Sequence, residues 1–250
     1  MKKIIVGNWK MNPATLVEAK KLFGAISADK AKKNAEIIIC SPAVYLSELL
    51  KLNKNKKIVL GAQDCSSSPG GSHTGSISCS MLKSAGAKLA IVGHSERRKA
   101  GDYDDIINQK IKLVLKGGLR AVLCIGEKEH DTDGQHLKEL KFQLQSALFG
   151  LPKSQFKNII IAHEPVWAIG AEATGADTPD NFCHNRLFIK KVLSDLSSPK
   201  IAQEIPILYG GSVNVQNAES FLNEGQADGL LIGRESLKPA NFLKIINYVK

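Results

Sequence analysis

Eight short apolar runs punctuate the 250-residue chain, each closing on a small or polar cluster, and most of the segments between them read as helices. No linker or low-complexity stretch divides them, so eight βα units in this length predict one closed (β/α)8 barrel domain over residues 1–250. The structural rival is a doubly wound open sheet. It would place a G-x-G-x-x-G turn after the first strand, where this chain reads GNWKMN.

The runs are KIIVGNWK, EIIICSP, KIVLGAQD, KLAIVGHSE, RAVLCIGE, NIIIAHEP, PILYGGS and GLLIGRE. Three to five consecutive apolar residues rich in β-branching suit strands buried on both faces, as in a parallel sheet. Asn12 and Pro13 read as an N-cap and first-turn proline ahead of ATLVEAKKLFGAI. DYDDIINQKIKLVLKGG has acidic residues at its start, lysines through its body and glycines where a C-cap falls. DNFCHNRLFIKKVLSDL and VQNAESFLNEG read as helices in the same way.

A hydrophobic content of 43% with 23% charged residues is that of a folded globular protein. No apolar stretch approaches the roughly 18 residues a membrane span needs, and MKKIIVGNWKMN has too few apolar residues for a secretory signal. Five scattered cysteines without a C-x-x-C speak against a disulfide framework or zinc site and for a reducing cytoplasm. The net charge of +10 comes from dispersed lysines. With no arginine-rich arm and no aromatic–basic interleaving, no nucleic-acid partner is expected; the charge is solvated helix surface that helps steer an anion.

In such barrels the loops after the strands' C-terminal ends build the active site. Those ends carry Asn8, Lys10, Gln63, His94, Ser95, Glu96, Cys124, Glu127, Glu164, Ser212 and Gly233. Glu164, in HEPVWAIG, is a carboxylate able to take a proton from carbon, provided that the resulting oxyanion is stabilised. An imidazole N–H from His94 and the Lys10 ammonium suit that oxygen. YGGSV and IGRES, after the seventh and eighth runs, offer the Gly-rich turns and free N–H groups that a phosphate dianion requires.

The chain resembles the triosephosphate isomerase family over nearly its whole length, through VGNWKMN, GAQ followed by HTG, VGHSERR, CIGE, EPVWAIG, LYGGSV and DGLLIG. That family is itself a standard example of a glutamate base and a neutral histidine electrophile beneath a water-excluding lid. The resemblance implies interconversion of dihydroxyacetone phosphate and glyceraldehyde 3-phosphate through an enediolate, with no metal and no organic cofactor. It implies Glu164 as base and a neutral His94 as donor to the enediolate oxygen. Lys10 would supply positive charge, with Asn8 orienting beside it and Glu96 positioning Lys10. Gly170 in the lid, Ser212 and the N–H groups of Gly233 and Arg234 would hold the phosphate. PVWAIG would be a lid hinged at Pro165 to Trp167, closing over the intermediate.

Three departures from the family pattern stand out. After Gly170 the usual T-G-K-T-A is replaced by AEATGADTP, which alters the second hinge around Ala171 to Gly175. Arg234 stands where a second glycine is usual. GSHTGSIS resembles the loop that joins two subunits, with Thr74 reaching the neighbour's site, so a homodimer is implied. The glutamate usual at Ser76 is missing, however, and its ion pair to the partner's equivalent of Arg97 cannot form; Asp64 adds a charge near the same contact.

Other residues have plainer readings. Cys124 is a packing residue, His73 a polar loop position, and His163 a neighbour of the base in the layer behind it. Trp9 and Trp167 are loop anchors. Two other functions compete with the isomerase. A different phosphate-binding barrel enzyme would need a Schiff-base lysine or a metal cluster, neither visible in the sequence. A non-catalytic basic anion-binding module would not need Glu164.

Overall fold

The computed structural model describes residues 2–249 apart from 29–33, 55, 132, 170–172 and 174. All eight expected strands form. They are β1 (Lys3–Asn8), β2 (Ala35–Cys40), β3 (Ile58–Ala62), β4 (Leu89–Val92), β5 (Arg120–Ile125), β6 (Ile159–His163), β7 (Ile207–Tyr209) and β8 (Gly229–Ile232). They pair in parallel and in chain order, and β8 returns to β1 with Val6 opposite Leu231, closing the barrel. The helices among the described residues are α1 (Leu16–Ser27), α2 (Leu46–Leu52), α3 (Cys79–Ser84), α4 (Ser95–Lys99), α5 (Asp104–Lys116), α6 (Gln135–Ala147), α7 (Pro179–Leu196), α8 (Pro199–Glu204), α9 (Ala218–Asn223) and α10 (Pro239–Asn247).

Successive side chains along a strand point to opposite faces, and the apolar residues divide into two cores on that basis. Ile4, Val6, Ile38, Cys40, Leu89, Ile91, Val122, Cys124, Ile160, Ala162, Leu208 and Leu231 fill the barrel interior. Their alternates, including Ile5, Ile37, Ile39, Ala90, Leu123, Ile161 and Leu230, pack outward with the helices' apolar faces. Cys124 belongs to the interior and is fully buried, as its packing reading requires.

One helix start differs from the sequence reading. Asn12 and Pro13 do not open α1; the Asn12–Pro13 bond is cis and precedes the helix. Thr15 is the N-cap, accepting from the Glu18 N–H, while the Glu18 carboxylate accepts from the Thr15 N–H, a complete capping box. Two reciprocal hydrogen bonds outcompete the proline signal. Elsewhere the end signals act as expected. Asp104 and Asp105 occupy the first turn of α5, which stops at Gly117 before Gly118 at φ +73°. Thr178 caps α7, with Pro179 in its first turn.

Thr15→Ala should lower unfolding free energy by about 1 kcal/mol and leave turnover unchanged. Urea denaturation followed by far-UV circular dichroism measures the first quantity; a steady-state assay measures the second.

Candidate active site

The alternation that fills the barrel also selects which side chains face its mouth. Ile4 and Val6 are interior, so Asn8 at the end of β1 points the same way; Ile160 and Ala162 are interior, so Glu164 follows them. Glu164 is 3% exposed. Two glycines give it room. A Cβ at Gly126 would lie 1.8 Å from the Glu164 carbonyl oxygen, and one at Gly210 would lie 2.9 Å from Glu164 Cγ. The Glu164 N–H donates to the Ile125 carbonyl at 2.7 Å, fixing the backbone against β5.

The Glu164 carboxylate accepts from the Ser95 N–H at 3.2 Å and lies 3.4 Å from His94 Nε2. His94 is the N-cap of α4, and its Nδ1 accepts from the Glu96 N–H at 3.2 Å. A ring nitrogen that accepts carries no proton, so the neutral ring holds its hydrogen on Nε2, the atom turned toward Glu164.

Lys10 is a non-glycine residue at φ +53°, a left-handed conformation that costs energy for an L side chain. Hydrogen bonds hold it there. Its N–H donates to Asn8 Oδ1 at 3.0 Å, and Gln63 Nε2 donates to its carbonyl at 2.8 Å and to the Cys40 carbonyl at 2.9 Å. The ammonium pairs with Glu96 Oε1 at 2.7 Å. Burial pushes the Glu96 carboxyl up, but the Lys10 contact outweighs it and holds the group below the ordinary carboxylate range.

Asn8, Lys10, His94, Glu96, Glu164, Ser212, Gly233 and Arg234 all line one cavity of about 490 Å³ at the C-terminal mouth of the barrel. Gly170 lies outside the described residues, as do Ala171, Glu172 and Thr174 of the second hinge. Ser212 Oγ donates to the Ala168 carbonyl at 2.8 Å, tying the β7 turn to the segment after Pro165. A 3-10 turn, Arg234–Leu237, starts at Gly233, and the first N–H groups of such a turn have no partner within it. Lys238, paired with Glu235 at 2.9 Å, lines the same cavity; the sequence reading missed both. Among the described residues no group of three or more His, Cys, Asp or Glu is placed to hold a metal ion.

His163 lies in the layer behind Glu164. Being one residue out of phase with Glu164, it points outward, away from the base and toward the helices. There it is fully buried, bonded through Nε2 to Glu127 Oε2 at 2.8 Å and stacked on Phe182 of α7. Trp167 Nε1 donates to the other oxygen, Glu127 Oε1, at 2.9 Å, and the Val166 N–H donates to the Glu127 carbonyl at 2.9 Å. Glu127 therefore anchors the start of the PVWAIG segment, and Trp167 is the loop anchor expected of it. Burial pushes Glu127 up, but the His163 and Trp167 hydrogen bonds prevail and hold it below the ordinary range. Trp9, the other expected anchor, is fully buried.

Arg97 also has partners that the sequence did not reveal. Its guanidinium bonds Asp64 at 3.0 Å and Asp102 at 3.2 Å within the same chain, and both carboxylates also hold the buried Lys110, at 2.7 and 2.6 Å.

A closed (β/α)8 barrel whose mouth gathers a buried carboxylate, an imidazole and an ammonium beside Gly-rich turns is the layout of a barrel enzyme built for acid–base chemistry on an anionic substrate. The chain belongs to the triosephosphate isomerase family, whose model matches residues 3–249. It is 40% identical over 244 residues to the triosephosphate isomerase of Ruthia magnifica, covering 97% of each chain. It is 36% identical to that of Alkaliphilus oremlandii over 99% of each chain. Against that of Aquifex aeolicus it is 38% identical, covering 98% of this chain and 99% of the relative.

A lowered carboxylate contributes stability that is fully present above its unfolded value and is lost as pH falls through its folded value. For Glu127 that loss begins below about pH 4.5, the ordinary glutamate value. Glu127→Gln should therefore be less stable near neutrality, by about 1–3 kcal/mol, and should show a shallower loss of stability below pH 4.5. Urea midpoints measured across that range would show both effects.

Proposed function

We propose that this chain carries out its family's reaction, the interconversion of dihydroxyacetone phosphate and glyceraldehyde 3-phosphate, with Glu164 as the base. The single observation behind this reading is the convergence of Glu164, His94 and Lys10, from three different strand ends, on one cavity. Glu164 removes a proton from one substrate carbon and returns it to the neighbouring one. His94 Nε2–H and the Lys10 ammonium stabilise the oxygen that becomes negative between the two steps. Asn8 supports Lys10 through its backbone, and Glu96 holds the ammonium in place. Ser212, the N–H groups of Gly233 and Arg234, and Gly170 from the lid bind the phosphate.

The Ser95 N–H gives Glu164 a resting partner. Pro165 follows it directly, so a displacement of the lid pulls the carboxylate from that partner toward the substrate. Closure and placement of the base are then one movement, and the enediolate is kept from water. The non-catalytic binding module is not favoured, because the acid–base residues are assembled around the cavity.

We also propose a homodimer through the loop carrying Thr74. Met11, Val44 and Ile77 are exposed apolar residues that follow the ends of the adjacent strands β1, β2 and β3, so they share one side of the barrel mouth. Because Arg97 is compensated within its own chain, the interface does not need a glutamate at position 76. The five cysteines are free thiols, which supports a cytoplasmic location; no helix among the described residues is long and apolar enough to cross a membrane.

Glu164→Gln should lower kcat for glyceraldehyde 3-phosphate by about 10²–10⁴-fold, with unchanged circular dichroism. A variant as active as the native protein would overturn the assignment of the base. Sedimentation velocity should give twice the chain mass of 27.1 kDa; a fully active monomer would overturn the dimer.

A further inference from the structure

Arg234 lines the cavity at the barrel mouth. Its backbone N–H is one that any residue except proline supplies, which leaves the guanidinium without a role. All five arginines of the chain are among the described residues. Four of them reach a carboxylate. Arg97 bonds Asp64 and Asp102, Arg98 bonds Asp104 at 2.7 Å, Arg120 bonds Glu36 at 3.0 Å, and Arg186 lies 3.6 Å from Asp228. Arg234 is exposed and has no hydrogen bond or ion pair among the described residues. Its neighbour Glu235 is already taken, Oε1 by Lys238 at 2.9 Å and Oε2 by Asn241 Nδ2 at 2.5 Å.

We propose that the Arg234 guanidinium is a second cation for the substrate phosphate, a specificity-determining side chain that lets the cavity accept a dianion; this rests on the isomerase reading above. Charge decides the matter. The ionised side chains lining the cavity are Lys10, Arg234 and Lys238 against Glu96, Glu164 and Glu235, with His94 neutral. Glu235 is held ionised by its bonds to Lys238 and Asn241. With Arg234 the two signs balance. Without it the carboxylates outnumber the ammonium groups, and a phosphate dianion would enter a cavity of net negative charge. The other two cations are moreover engaged, Lys10 with Glu96 and Lys238 with Glu235.

Position agrees with charge. The turn Arg234–Leu237 starts at Gly233, where a Cβ would lie 3.4 Å from Lys10 Cε and 3.9 Å from its Nζ. Arg234 thus follows directly on the backbone that packs against Lys10, on the side of the cavity where the turn's first N–H groups lie. A planar guanidinium offers two parallel N–H donors to two phosphate oxygens, which an ammonium cannot do. The backbone N–H groups fix the place of the phosphate. The guanidinium adds a charge that acts beyond contact distance and draws the anion in.

The test uses glycerol 3-phosphate, which carries the phosphate but has no carbonyl to react, and follows its binding by phosphorus NMR at low ionic strength. Arg234→Ala should bind it about tenfold more weakly than the native protein, the loss expected for one hydrogen-bonding partner of a charged group. Arg234→Lys should fall between the two, and the gap between native and Arg234→Ala should narrow in high salt. Undiminished affinity in an Arg234→Ala protein with native circular dichroism would refute the proposal while leaving the phosphate site in place. A second measurement needs no variant. Phenylglyoxal, which condenses with guanidinium groups, should modify Arg234 fastest of the five arginines in the native protein, and saturating glycerol 3-phosphate should protect it, as read from peptide masses. Modification of Arg234 at one rate with and without the ligand would sink the contact equally. Native protein that binds no glycerol 3-phosphate would remove the phosphate site and this proposal together; the identity of the base is decided separately, by the Glu164→Gln assay.

Discussion

Closing a parallel sheet on itself leaves no free edge, so every strand buries both faces and each residue faces either the barrel interior or the helices. That binary choice governs the whole molecule. The same two-residue alternation that sends Ile160 and Ala162 inward and Ile161 outward continues past the last ladder hydrogen bond. It delivers Glu164 to the mouth and His163 to the helix layer. Two adjacent titratable residues therefore serve unrelated parts of the protein, one lining the cavity at the mouth and one behind it.

The mouth is kept in order by contacts between strand ends, which do not belong to any one βα unit. Gln63, just after β3, holds the carbonyls of Lys10 and Cys40, Ser95 from α4 holds Glu164, and the missing side chain at Gly126 lets the β6 turn press against β5. Lys10 keeps an unfavourable backbone conformation only because neighbours on both sides accept or donate to it. Behind the mouth, Glu127 spends one oxygen on His163 and the other on Trp167, tying the turn after Glu164 to a buried aromatic layer formed by Phe182, Tyr209 and Phe221.

The strands were legible in the sequence because doubly buried strands are nearly continuous in apolar residues, and the residues that line the cavity because each sits in a distinctive motif at a strand end. What escaped was set by geometry between segments. Asn12 and Pro13 present a strong helix-start signal, yet the T-x-x-E spacing of Thr15 and Glu18, visible in the same stretch, is the one that acts. The roles of Glu127 and His163 depend on strand phase, which a motif does not state but which counting back along β5 and β6 supplies. The compensation of Arg97 by Asp64 and Asp102 depends on loops folding back on themselves; no periodicity encodes it.

The Trp167–Glu127 hydrogen bond also gives the molecule an optical character. The chain has only two indoles. Trp9 is sealed in the core, whereas Trp167 is bonded to a carboxylate and lies 5.3 Å, ring to ring, from His130. Any displacement of Trp167 changes the surroundings of one emitter and leaves the other as a constant background. The protein thus carries a built-in reporter on the segment after Glu164, readable by intrinsic fluorescence without attaching a dye.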